Sequence, residues 1–119
     1  MTYVNGFLLA VPNANKAAYT EMAETASRVF RDKGATSVME TWGADVPDGK
    51  VTSFPMAVKL EADESVVFSW IVWPDKATAE AGMAASMKQL EDIMGSDMSN
   101  MPFDGMRMMW GGFEAIVEA

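Results

Sequence analysis

The chain has 119 residues, of which 50% are hydrophobic and 22% charged, a composition that indicates one globular domain over residues 1–119. It contains no Cys and no His, which excludes disulfides, thiolate and imidazole catalysis, and histidine-ligated zinc or haem. Its 17 acidic and 9 basic residues give a net charge of −8, so we expect neither nucleic acid nor an anionic membrane among its partners.

The first half of the chain predicts a strand, a helix and two further strands. Apolar side chains on both faces predict a strand over residues 3–11, ended by Pro12. A helix to about Lys33 follows, with Asn13 or Asn15 as its N-cap. Its apolar stripe consists of Ala18, Met22, Ala26, Val29 and Phe30. Alternation then predicts strands over residues 36–42 and 54–60, the second at a sheet edge because it contains a proline.

The second half predicts a strand, a helix and a last strand. Residues 66–73 form the strongest strand pattern of the chain, again apolar on both faces. Asp75 is the expected N-cap of a helix that runs to about Met94 and ends at Gly95. Its apolar stripe is Met83, Met87, Leu90 and Met94. After a loop over residues 96–105, a strand is predicted over 107–117, where the paired Gly111-Gly112 indicates a bulge or a close approach.

This order of elements predicts an α+β fold of the ferredoxin-like β-α-β-β-α-β type, with both helices on one face of an antiparallel sheet. The second sheet face then has no cover within the protomer, although strands 3–11 and 66–73 are apolar on both sides. A contiguous apolar patch of that kind is larger than monomers normally expose. We therefore expect a homodimer in which two sheets pack face to face.

The N-terminal apolar stretch does not look like a targeting signal. No basic residue precedes residues 7–11, and Pro12-Asn13 interrupts them. No apolar run approaches the roughly 20 residues that span a bilayer. We therefore expect a cytoplasmic protein.

Several motifs resemble the DUF1428 family of small bacterial proteins. The second half carries Val67 to Pro74, Pro102 to Met108 and Gly111 to Glu114, and the first half carries Glu40 to Gly43, Pro47 to Lys50, and Phe54 with Ala57-Val58. The resemblance covers nearly the whole chain. It implies a dimeric α+β barrel of ferredoxin-like protomers and no particular activity. Met106 is a departure, because the family usually has Lys there, and the segment Asp75 to Glu80 replaces a Ser-rich helix start.

Polar residues on apolar strands are the natural pocket candidates, because barrels of this type commonly hold a cavity between sheet and helices. Glu40 shares a strand face with Val38 and Trp42, and a buried carboxylate can act as a general base. The alternative is that Glu40 faces solvent or pairs with Arg107. Arg107 could bind a substrate carboxylate, or it could pair with Asp104 or Glu114 and hold the turn.

The remaining candidates are ligand-contacting residues. They are Trp42, Ser69, Trp70, Asp104 and Trp110, with Asn5 and Tyr19 as further polar possibilities. The tryptophans could line an aromatic pocket or pack in the core and the dimer interface. Ser69 has no partner base in the sequence pattern and is better suited to hydrogen bonding than to nucleophilic attack.

The methionines Met98, Met101, Met106, Met108 and Met109 fall within twelve positions. Thioethers bind Cu(I), but methionine also fills irregular cores and interfaces. We expect no metal and no cofactor. The sequence thus predicts a cytoplasmic homodimer with a pocket for a small, partly apolar molecule. It could be a cofactor-independent oxygenase or isomerase with Glu40 as base; alternatively, it is a non-catalytic binding or protein-interaction protein.

Overall fold

Four strands and three helices form the part of the chain that the structure describes, residues 1–95 and 101–119 of a computed structural model. The strands are β1 (Tyr3–Pro12), β2 (Ser37–Trp42), β3 (Glu64–Trp73) and β4 (Met109–Glu114). The helices are α1 (Lys16–Asp32), α2 (Phe54–Ala57) and α3 (Lys76–Met94). Single 3₁₀ turns, Asn13–Asn15 and Gly105–Arg107, precede α1 and β4. Met98 and half of the predicted loop 96–105 lie outside the described residues.

The sheet has the strand order β2-β3-β1-β4, and every neighbouring pair is antiparallel. Leu9 pairs with Val67 at the centre of the sheet, and Glu40 pairs with Ser69 between β2 and β3. This order, with α1 and α3 packed on the same face, confirms the prediction of an α+β, ferredoxin-like protomer.

The strand predicted over residues 54–60 is wrong. Residues 54–57 form the short helix α2, because the Ser53 hydroxyl caps it by accepting from the Met56 amide at 3.1 Å and a proline fits its first turn. The alternation beyond α2 has another cause: Val58 and Leu60 pack against Ala10 and Val66 on the sheet face away from α1 and α3. The alternation of apolar residues over 54–60 therefore reflects a connecting segment that packs on the sheet with one side only.

Helix ends follow the predicted signals in part. The Asp75 carboxylate caps α3 by accepting from the Thr78 amide at 2.7 Å, and Gly95 ends α3 with a φ of 81°. At α1, Asn15 occupies the N-cap position but makes no capping hydrogen bond. Its amide instead donates to the Pro102 carbonyl at 3.0 Å. The start of α1 is thereby tied to the segment before β4.

Both helices bury smaller or more polar residues than their predicted stripes. On α1, Tyr19 and Ala23 are buried together with Val29 and Phe30, whereas Ala18 is exposed. On α3, Gly82 and Ser86 are buried and Met87 is exposed. Trp73 is the reason for the second difference, because its six-membered ring lies directly against Gly82 in the core.

The sheet face away from α1 and α3, called here the open face, is apolar and only partly covered. The segment from α2 to Leu60 covers one end of it. Elsewhere on this face, four large apolar side chains are exposed, namely Met39, Phe68, Met109 and Phe113. The two glycines of β4 accommodate neighbouring rings: Phe113 lies over Gly111, and the Tyr3 ring occupies the space a side chain at Gly112 would need.

Among the described residues, no helix is long and apolar enough to cross a membrane.

Candidate functional site

A cleft of about 310 Å³ runs between α1 and the edge strand β2. One wall comes from successive turns of α1 and the other from the face of β2 that packs toward it. The residues lining it are Lys16, Tyr19, Thr20, Ala23, Glu24, Ser27, Arg28, Glu40, Thr41 and Trp42. Its volume lies at the lower end of the range for small-molecule sites.

Glu40 and Tyr19 meet in the middle of this cleft. Strand alternation directs Glu40 to the same face as Val38 and Trp42, both of which pack beneath α1. Tyr19 lies near the start of α1 and is 5% exposed. Its hydroxyl donates to Glu40 Oε1 at 2.7 Å. The buried Ser69, directly opposite Glu40 in the sheet, also hydrogen-bonds to the carboxylate.

Burial raises the pKa of the Glu40 carboxyl above its ordinary value, and the hydrogen bonds from Tyr19 and Ser69 offset part of that increase. The pKa of Tyr19 is raised strongly by burial and by the neighbouring Glu40 charge. Tyr19 therefore stays protonated and keeps donating its hydrogen bond at neutral pH. A carboxylate with a raised pKa and a fixed orientation is suited to accept a proton from a ligand.

The rim of the cleft carries both signs of charge. The Lys16 ammonium lies 5.3 Å from the centre of the Trp42 ring, at the end of the cleft next to the start of α1. Glu24 and Arg28 line the wall further along the helix. An aromatic ring, two cations and two carboxylates thus surround one small volume.

Arg107 lies in a different cluster. Its two terminal nitrogens donate to both carboxylate oxygens of Glu64 at 2.7 Å, and Nε donates to Asp104 at 3.1 Å. Further donations reach the carbonyls of Lys59 at 3.0 Å and Val58 at 3.4 Å. The Glu64 side chain is only 3% exposed, and hydrogen bonding from Arg107 lowers the pKa of that carboxyl. The Arg107 guanidinium is therefore hydrogen-bonded mainly to acceptor groups within the protein.

The other predicted residues are divided between the two faces of the sheet. Trp42 and Ser69 lie with Glu40 on the helix side, whereas Trp70 packs with Phe68 on the open face, their ring centres 5.1 Å apart. Asp104 stays with Arg107. Trp110 is on β4 and 69% exposed. The Asn5 side chain accepts a hydrogen bond from the Trp73 indole at 2.8 Å.

Of the predicted residues, Tyr19, Glu40 and Trp42 line the cleft and Ser69 pairs with Glu40 in the sheet, and the structure adds residues that sequence patterns did not single out. Lys16 and Arg28 are ordinary exposed helix residues by pattern. The burial of Glu64 has no signal in the sequence either, because the residue stands in a charged run, residues 61–64, of a kind that is typical of solvated loops. The part of the chain that the structure describes holds no cluster of three or more His, Cys, Asp or Glu side chains placed to bind a metal ion.

Two solved structures share the fold. One is Rv0793 from Mycobacterium tuberculosis, with a TM-score of 0.57 at 10% identity, covering 100% of this chain and 99% of that one. The other is a mutant of SnoaB, a cofactor-independent oxygenase from Streptomyces nogalater, with a TM-score of 0.54 at 15% identity, covering 98% and 93%. At these identities the similarity concerns the fold alone.

Sequence relatives are much closer. The chain is 50% identical over 119 residues to the uncharacterized protein YbaA of Escherichia coli, covering 99% of both chains. The protein of that name from Shigella flexneri matches to the same extent. A family model described as a protein of unknown function, DUF1428, matches residues 2–105, and the chain therefore belongs to the DUF1428 family.

Proposed function

We propose that this protein binds a small, partly apolar molecule in the cleft between α1 and β2 and removes a proton from it with Glu40. The observation that carries the proposal is the hydrogen-bonded Glu40 carboxylate, held by Tyr19 and Ser69 against a cleft that also presents the Trp42 ring. The reaction class is that of a cofactor-independent oxygenase or isomerase.

The chemistry needs one proton acceptor. Glu40 takes a proton from an acidic C–H or O–H of the ligand and becomes a carboxylic acid, while the electron pair stays on the ligand as an enolate or phenolate. Return of the proton to a different atom completes an isomerisation. Reaction of the electron-rich anion with O₂ as the oxidant would complete an oxygenation without a cofactor. The similarity of fold to SnoaB supports this second outcome as a possibility of the fold.

The same cleft supports a second candidate, a binding protein that performs no reaction. One oxygen of Glu40 already accepts the Tyr19 hydroxyl at 2.7 Å, so the carboxylate could serve only to orient a ligand donor. The contacts of Arg107 with Glu64 and Asp104 favour a structural role for this residue over the role of an anion anchor.

We further propose that the active form is a cytoplasmic homodimer in which two open faces pack together, and that neither nucleic acid nor membrane is a partner. The exposed Met39, Phe68, Met109 and Phe113 support this, because burying such a patch against a second copy removes it from water. A mass measurement by light scattering at micromolar concentration tests it. The expected mass is twice the protomer's 12.9 kDa.

The test of the cleft is a thermal-shift screen of phenols, quinones and acyl compounds, repeated with two variants. Glu40→Gln removes the proposed base, and Glu24→Gln removes a carboxylate from the same cleft that is not bonded to Tyr19. We expect a stabilising compound to lose its effect, or to bind unchanged but no longer react, only in Glu40→Gln. Equal loss in both variants, or full binding and turnover in Glu40→Gln, contradicts the assignment.

A further inference from the structure

The segment 101–108, between the helical layer and β4, is fixed at both of its ends. Near its start, the Pro102 carbonyl accepts a hydrogen bond from Asn15 at 3.0 Å, one residue before α1. Near its end, Arg107 is bound to the nearly buried Glu64 through two parallel hydrogen bonds of 2.7 Å. Paired geometry of this kind is among the most strongly oriented polar contacts in proteins. The segment is thus held against α1 and the start of β3.

Between these two attachments, Phe103 contacts Tyr19, one of the residues of the site. Its ring packs edge-on against the Tyr19 ring, with centres 5.9 Å apart and planes 71° apart. Phe103 and Met108 both pack on the cluster that contains Tyr19, Leu9 and Val67. Phe103 does not line the cleft. It contacts the ring of Tyr19, the residue whose hydroxyl binds Glu40.

We propose that segment 101–108 is a positioning element for the site, in which Arg107 and Phe103 hold the Tyr19 hydroxyl on the Glu40 carboxylate. The inference rests on the proposed role of Glu40 as proton acceptor. It gives Arg107 a function that requires no contact with a ligand. A carboxylate functions as a base only when its free oxygen points into the cleft, and the Tyr19 hydrogen bond fixes which oxygen that is.

The arrangement explains why Glu64 is buried at the start of β3. A buried carboxylate is costly unless a cation and further donors satisfy it. Arg107 satisfies both Glu64 oxygens, while the Glu61 amide donates to Oε1 at 2.8 Å. The pair therefore attaches segment 101–108 to the first residue of β3, where the segment returns to the sheet. From there the Phe103 ring is directed onto α1.

The test is a double-mutant cycle read on the Glu40 carboxyl by ¹³C NMR titration of the full chain, which needs no ligand. The variants are Phe103→Ala, Tyr19→Phe and the two combined. Phe103→Ala should raise the pKa of Glu40 by about 0.5, because a loosened Tyr19 donates a weaker hydrogen bond to the carboxylate. In the Tyr19→Phe background the same substitution should change it by less than about 0.2.

Two controls separate positioning from a general loss of packing. Phe103→Tyr retains the ring and should restore the wild-type titration. Phe54→Ala removes a ring that packs with Phe68 on the open face, and it should leave Glu40 unaffected. Arg107→Lys keeps a cation near Glu64 but loses the paired hydrogen bonds, so it should give a smaller shift in the same direction as Phe103→Ala.

An unchanged Glu40 titration in Phe103→Ala overturns the inference, and so does an equal change with and without the Tyr19 hydroxyl. Failure of the proposed function has a different signature, because the ligand screen would then give no compound whose effect depends on Glu40. The titration cycle can still show coupling in that case.

Discussion

Tyr19 determines the state of Glu40 at the level of single residues. Its hydroxyl is 2.7 Å from Glu40 Oε1; Tyr19 on α1 is buried, whereas Glu40 on the edge strand β2 keeps part of its surface exposed to water. Burial favours the neutral carboxyl and the two hydrogen bonds favour the charged one, and burial is the larger effect. The donor strength of Tyr19 therefore tunes the basicity of Glu40.

Replacing Tyr19 by Phe should raise the pKa of Glu40 further, by about 1, because a hydrogen bond to the charged form is lost while the ring still fills its site. An NMR titration of the labelled carboxyl measures this. Tyr3→Phe is the matched control, since the other tyrosine of the chain lies over Gly112 on β4 and does not contact Glu40. A lower Glu40 pKa in Tyr19→Phe would show that the hydroxyl does not stabilise the carboxylate.

The Arg107–Glu64 pair is the other residue-scale feature with a measurable consequence. Arg107→Met should lower the free energy of unfolding at pH 7 by about 3–5 kcal/mol, because it leaves a buried carboxylate without its cation. Urea denaturation measures the difference. Arg28→Met is the control, an exposed arginine on the cleft wall, and it should stay within about 0.5 kcal/mol of the wild type.

The stability difference should also depend on pH. The folded-state pKa of Glu64 is lowered, so the stabilisation is present above its unfolded value of about 4.3 and is lost as the pH falls through the lower folded value. The gap between wild type and Arg107→Met should therefore close in the acid range. A gap that persists undiminished below about pH 3 would contradict an electrostatic origin.

At the scale of elements, the alternating residues 54–60 show where pattern and structure separate. Period-two alternation predicts a strand only if the segment finds a strand partner. Here Ser53 caps a helical turn, and Val58 then packs onto the open face through its side chain. The pattern correctly reported a buried face, but the backbone conformation was set by the cap and by the proline after it.

The contact between α3 and β3 gives the element-scale prediction. A Cβ added at Gly82 would lie 2.3 Å from the Trp73 ring and 2.8 Å from the Lys33 carbonyl. Gly82→Ala should therefore destabilise the fold by about 1–3 kcal/mol through overpacking, although alanine is the better helix former by about 1 kcal/mol. Thermal unfolding measures it. Ala81→Gly at the exposed neighbouring position should cost only the helix-propensity difference, and a stabilised Gly82→Ala would show that α3 can move away from the sheet without cost.

At the scale of the whole molecule, the open face determines how much apolar surface the protomer exposes to water. α1 and α3 pack on one sheet face, and the segment from α2 to Leu60 covers only an end of the other. The exposed apolar side chains that remain on it belong to β2, β3 and β4. A second copy presents the same surface, so a twofold face-to-face contact buries both at once.

Phe113→Glu should convert the proposed dimer to a monomer, because it places a charge within that contact. Phe113 is 61% exposed on the open face. Trp110→Glu is the matched control, since Trp110 is on the same strand, 69% exposed, and pairs in register with Phe7 on the helix side. Light scattering should give half the wild-type mass for Phe113→Glu and the full mass for Trp110→Glu. Equal masses for the two variants would show that the open face is not the dimer interface.

The sequence by itself determined the four strands of the sheet and the two long helices, because hydrophobic periodicity, Asp75 and Gly95 act over one or two turns, but it did not determine the short helix α2. It also determined that both sheet faces are apolar. Only the tertiary structure decided that Tyr19 would meet Glu40 and that Arg107 would neutralise Glu64. These partners are 21 and 43 residues apart in the chain. Their contact depends on the rotation of α1 about its axis and on the strand register. Packing of the complete core sets both, and no local sequence pattern contains that information.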